Sequence, residues 1–159
     1  MMKKNSGFSL VELIVVIAIM AILVGVLAPA YLKYVEKSRK SKDIDAISEM
    51  MSAADKIAVD DEDVTESTTF TITAGSKKLT LAVANGGTNT LAQWQKSSGL
   101  TAATYDLSSK TFKSKTGTLT GDVDSEGAVE WSGTGAFAKG STTAGDFTEF
   151  SKDLNKKLC

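Results

Sequence analysis

Phe8-Ser-Leu-Val-Glu12-Leu-Ile-Val-Val-Ile-Ala-Ile-Met20-Ala-Ile-Leu-Val-Gly25-Val-Leu-Ala28 is the stretch on which the fold turns. From Leu13 to Ala28 every residue is apolar or glycine. The run from Phe8 has roughly the 20 residues that a helix needs to cross the hydrocarbon core of a bilayer. Apart from Ser9, its one polar residue is Glu12. A charged side chain at mid-membrane costs about 3 kcal/mol on insertion scales, so an intramembrane carboxylate is by default a functional residue. Near one end of the span the cost is lower, and a second reading has Glu12 reaching up to the headgroups.

Lys3 and Lys4 form a short basic head before this run, followed by Asn5, Ser6 and Gly7. A secretory signal peptide with Ala28-Pro29-Ala30 as its small-residue cleavage site is one alternative. It conflicts with the length of the apolar region and with the internal glutamate. A single-pass anchor that is never processed is another. Beyond the run, Lys33, Lys37, Arg39, Lys40 and Lys42 outnumber the basic residues that precede it. The positive-inside rule alone would therefore hold the larger part of the chain in the cytoplasm.

Lys-Lys-Asn-Ser-Gly7 followed by Phe8-Ser-Leu-Val-Glu12-Leu-Ile resembles the prepilin motif of type IV pilins and their pseudopilin relatives. A short basic leader ending in glycine, a phenylalanine at the new terminus and a glutamate four residues on stand at set offsets. Pro29, at the end of the apolar run, resembles the helix kink of that family. The resemblance covers about the first 35 residues. It implies cleavage between Gly7 and Phe8 by a membrane-embedded aspartyl prepilin peptidase, and N-methylation of Phe8. Glycine suits a cut site because its backbone lies extended and unhindered in a peptidase cleft. Cleavage would turn Phe8 into a terminal ammonium group, which Glu12 of a neighbouring subunit would meet as an inter-subunit salt bridge. The leader motif thereby implies a headpiece outside the cell, against the positive-inside count.

Past Pro29 the pattern stays helical and becomes amphipathic: Ile44, Ile47, Met51, Ala54 and Ala58 recur at three- and four-residue steps. One helix is expected from about Phe8 to about Val59, roughly 75–80 Å long at 1.5 Å per residue. Pro29 should kink or loosen it, because it donates no backbone hydrogen bond. Asp60-Asp61-Glu62-Asp63 ends it against the helix dipole. The period then changes to two. Phe70–Ala74 and Leu79–Val83 predict a hairpin turning at Gly75-Ser76, and Asn85-Gly86-Gly87 another turn. Leu91–Lys96 reads as a short helix. Thr118–Val123 and Ala128–Trp131 read as a second hairpin around Asp124-Ser125-Glu126-Gly127, with Gly127 suited to positive φ. Phe147, Phe150, Leu154 and Leu158 are spaced as one face of a terminal helix, or as a strand and tail.

The predicted fold class is α+β, a long N-terminal helix laid by its outer half on a small antiparallel sheet. Residues 1–7 are expected to be a cleaved leader, 8–32 the membrane and filament-core helix, and 33–159 the headpiece. The 159 residues carry a formal net charge of −1, which offers no electrostatic case for nucleic acid. Histidine is absent, and the single cysteine, Cys159, can form no intramolecular disulfide. Asp122-x-Asp124-x-Glu126-Gly127 has the outline of a calcium loop, but Gly133 stands where its bidentate glutamate belongs, so turn chemistry is the better reading. The Lys33–Lys42 cluster reads as a solvated helix face beside a membrane rather than a lipid or DNA site. Tyr31 and Tyr34 read as subunit packing. No catalytic constellation, metal site or cofactor motif is legible.

The resemblance implies a structural subunit of an extracellular type IV pilus, a substrate of processing and not an enzyme. Its partners would be further copies of itself in a helical homopolymer, the prepilin peptidase, the pilus assembly machinery and, before assembly, the cytoplasmic membrane. Heterologous contacts that do not close give such open helices. Two alternatives stand beside it. One is a major pseudopilin of a type II secretion or competence DNA-uptake system; the other is a single-pass membrane-anchored extracellular binding protein.

Overall fold

The structure, a computed structural model, describes residues 9–138. Helix α1 runs Leu10–Asp60 and takes Pro29 inside it. There follow β1 (Thr69–Gly75), β2 (Lys78–Ala84), α2 (Thr90–Ser97), β3 (Thr104–Asp106), a 3₁₀ turn (Phe112–Ser114), β4 (Gly117–Val123) and β5 (Val129–Gly135). The fold is α+β, with one antiparallel sheet in the order β3-β2-β1-β4-β5. The chain divides into two compact units, Met1–Lys37 and Ser38–Cys159. The predicted terminal element around Phe147, Phe150, Leu154 and Leu158 lies outside the described residues.

In the second unit the predicted stripe of α1 faces the sheet. Ile47, Met51, Ala54 and Ala58 are buried, Ile44 is half-buried, and Met50, Ala53 and Ile57 widen the stripe. Strict alternation supplies the other face, with Phe70, Ile72 and Ala74 of β1 buried while Thr73 points outward. Register stacks Ile72 between Leu81 and Leu119. Each large apolar side chain so buried contributes about 1.5–3 kcal/mol. Both tryptophans fasten the sheet side to α1 through their ring N–H groups. Trp94 donates to the Met50 carbonyl at 2.7 Å and meets Phe70 edge-on, with centroids 5.1 Å apart. Trp131 donates to Asp55 at 3.1 Å. Gly121 lies opposite Trp131 in the ladder, where a Cβ would fall 3.0 Å from the indole.

Both predicted hairpins form, with one difference in detail. The first turns at Ser76-Lys77 rather than Gly75-Ser76, since Gly75 still pairs with Lys78 as the last rung. Ser76 and Lys77 have φ of 52° and 70°. A two-residue loop twists with its strands when both central residues have positive φ, which is why Asn-Gly prevails there. Left-handed backbone costs a non-glycine residue roughly 1–2 kcal/mol. The double variant Ser76→Asn, Lys77→Gly should therefore stabilise the chain by about 1 kcal/mol, read as a higher urea midpoint at unchanged m-value. In the second hairpin Gly127 adopts φ 81°, as its position demands.

Candidate functional site

An apolar run this long has to be covered by something, and among the described residues nothing covers it. Leu10, Leu23, Val26 and Leu27 expose 72%, 55%, 72% and 63% of their surface. Among the described residues α1 is the one helix long and apolar enough to cross a membrane. The helix assignment continues through Pro29 without a break. Pro29 has no N–H for the carbonyl four residues earlier, which is that of Gly25.

Glu12 sits in the first turn of α1, and its Oε2 accepts a 2.9 Å hydrogen bond from the Ser9 backbone N–H. Ser9 in turn offers its carbonyl to the Leu13 N–H at 3.2 Å. Ser9-x-x-Glu12 is thus half of a capping box, the glutamate at the third helical position reaching back to the N-cap amide. Sequence reasoning weighed snorkelling against pairing and missed this third role, although the S-x-x-E spacing before an apolar run carries it. One such bond occupies a fraction of a carboxylate's roughly four lone-pair sites, so capping leaves room for a cationic partner. The predicted cleavage pair, Gly7 and Phe8, lies outside the described residues.

A second carboxylate does work that the sequence reading overlooked. Asp43, in the buried stripe of α1, is 0% exposed. Its Oδ1 accepts from the Ser108 N–H at 2.8 Å and from the Tyr105 hydroxyl at 3.3 Å. Its Oδ2 accepts from the Ser108 and Ser109 N–H groups at 3.0 and 2.8 Å. One helical side chain thereby anchors the segment between β3 and β4. Burial pushes the Tyr105 phenol above its ordinary value of 10, and the negative charge of Asp43 adds to the rise. The signal for Asp43 was a charge four residues before Ile47, on the stripe rather than opposite it.

The loop with a calcium-like outline behaves as a turn. Asp124 Oδ1 accepts from the Glu126 and Ala128 N–H groups, each at 2.8 Å, so its carboxylate faces its own backbone. An open cavity of about 410 Å³ beside it is lined by Ala58, Val64, Glu66 and Glu126 among others. Among the described residues no three acidic, histidine or cysteine side chains converge as metal ligands.

Residues 2–28 match the family described as the prokaryotic N-terminal methylation motif. A fimbrial protein of Pseudomonas aeruginosa is 29% identical over 68 residues, 43% of this chain and 44% of that protein. Fimbrial protein Q of Moraxella bovis is 42% identical over 59 residues, 37% of this chain and 34% of that protein. The matched stretch spans less than half the length of these curated relatives. No solved structure matches the chain. The chain carries the methylation motif of prokaryotic prepilins and is similar to fimbrial proteins, as the residues around Gly7, Phe8 and Glu12 implied.

Proposed function

We propose that this chain is the structural subunit of an extracellular type IV pilus. The observation that carries the reading is a prepilin methylation motif joined directly to a helix whose apolar residues are left uncovered. Those residues need a bilayer at one stage and copies of themselves at another. A prepilin peptidase cuts after Gly7, and Phe8 becomes the methylated terminus. Residues 8–32 hold the chain in the cytoplasmic membrane and later form the filament core, with the headpiece, residues 33–159, outside. The chain is a substrate of processing and no enzyme. The pilus assembly machinery supplies the work of extraction.

The terminus tests this directly. Mass spectrometry of sheared surface filaments should find a methylated Phe8 as the first residue. Gly7→Val should abolish processing, because a β-branched side chain stiffens and crowds the extended backbone that the cut requires. A terminus at Tyr31 would instead mean signal-peptide cleavage. Filaments on the surface of producing cells separate a pilus from a short pseudopilin and from an unassembled membrane anchor. The fimbrial names of the relatives favour the pilus.

A further inference from the structure

The basic cluster after the apolar run has a second half that only the fold reveals. Asp43 draws Ser108 and Ser109 onto α1, and the Lys40 ammonium stands 5.9 Å from the ring centroid of buried Phe112. These contacts hold the loop that carries Lys110, Lys113 and Lys115 against the turn of α1 that carries Arg39, Lys40 and Lys42. Arg39, Lys42, Lys110 and Lys113 are exposed, while Lys40 and Lys115 are half-buried. Residues 108–115 contain no carboxylate and Asp43 is buried beneath the loop it holds, while Glu36 and Asp45 flank the basic segment of α1 and offset part of its charge. Nearby Asp106 is 3.5 Å from Lys78, an ion pair on the neighbouring strands. Two segments some 70 residues apart in sequence thus present six basic side chains at one end of the second unit, in a chain whose net charge is −1.

We propose that this end of the headpiece docks on the anionic phospholipid headgroups of the membrane that holds the subunit before assembly. The argument rests on the membrane-insertion part of the function proposed above, and on chain length. Only six residues separate Leu32 from Arg39, at most about 25 Å of extended chain. A bilayer that takes up the apolar run therefore has its headgroups within reach of the basic end, whatever the arrangement of the two units. Basic residues gathered at a membrane surface are attracted to anionic lipid within a Debye length. The phosphates of the headgroups are the charge-assisted acceptors that lysine and arginine fit. The docking would hold the headpiece against the membrane until extraction, and its basic residues would serve on whichever side the headpiece lies.

The test uses the full chain reconstituted in vesicles of phosphatidylcholine alone or of phosphatidylcholine with phosphatidylglycerol. Amine acetylation is followed residue by residue by mass spectrometry. Lys110 and Lys113 should react about fivefold more slowly in the anionic vesicles, the factor that one basic residue's attraction to such a leaflet supplies. High salt should restore the rate. Lys56, about 20 Å further along α1, should react alike in both. In the double variant Lys110→Glu, Lys113→Glu, protection of Lys42 should fall to the neutral-vesicle value. Equal rates in the two vesicles, in a chain that floats with both, would overturn the docking and leave the membrane reading standing. Failure to float would overturn that reading and the docking with it. Protection that grows with protein density in neutral vesicles would assign the surface to a second copy instead. Protection by an added oligonucleotide, without protection by anionic lipid, would assign it to nucleic acid. Either result removes the lipid.

Discussion

Cells producing Glu12→Gln will cleave and accumulate the subunit but display at least about a hundredfold fewer filaments, the lower end of the effect of leaving a buried charge unpaired. The substitution separates the two roles that Glu12 can fill. Glutamine serves at the third helical position of a capping box, so its amide oxygen can still accept from the Ser9 N–H. If capping were all that Glu12 does, Glu12→Gln filaments would be normal in number. If Glu12 also recruits the Phe8 ammonium of a neighbour, charge is what matters, and the isosteric amide fails. Glu12→Lys should be worse still, because it sets two cations together in a low-dielectric bundle. Immunoblots of processing and electron microscopy of filaments read the two steps apart. Normal filament yield from Glu12→Lys would end the pairing mechanism.

Asp43→Ala should lower the unfolding free energy of the detergent-solubilised chain by about 3–5 kcal/mol, the cost of several buried donors losing one charged acceptor. At this size that is a drop of roughly 10 °C in melting temperature. Asp43→Asn keeps the volume and one acceptor oxygen, but it loses the charge and turns an N–H₂ toward N–H donors, so about half the loss is expected. A loss under about 1 kcal/mol from Asp43→Ala would mean that the apolar stripe alone holds this segment, since surface polar changes usually stay within that range. The pH dependence has a definite sign. The Tyr105 phenol is raised above 10 in the folded chain, so its contribution is fully present below pH 10 and is lost as pH climbs through the raised value. Tyr105→Phe should flatten the alkaline side of the stability profile relative to the parent chain and leave the profile near neutrality unchanged.

Most of the architecture was legible because it rests on periodicity. The step from 3.6 to 2 marked the end of α1 and the start of the sheet, and alternation in Phe70–Ala74 and Leu79–Val83 placed their inward faces. What escaped was carried by geometry that no period records. Strand β3, Thr104–Asp106, is a three-residue edge, too short for its alternation to register as a period; it pairs with Lys78, Leu79 and Thr80 of β2. The Ser76-Lys77 turn was displaced by one residue in the sequence reading, since glycine marks such turns and Gly75 was adjacent. Asp43 went unmarked in the sequence because the donors that justify its burial come from residues 105–109, far along the chain. At the N-terminus the converse holds. Glu12 was conspicuous for its surroundings alone, while its bond to Ser9 was legible only as the capping spacing.

The two halves of the core are synthesised far apart in time. The stripe from Ile47 to Ala58 leaves the ribosome early, but the residues that cover it extend to Trp131 and Phe137. At 5–20 residues per second, roughly 4–16 s pass between the last residue of α1 and Phe137. Through that interval an apolar helix face is bare in a chain whose preceding segment is already fit for a bilayer. On the function proposed above, headpiece folding would follow insertion, and nearly the whole chain would have to be delivered before the core closes. A nascent chain arrested before Trp131 should remain sensitive to protease on the side where its headpiece emerges. One released after Phe137 should become resistant.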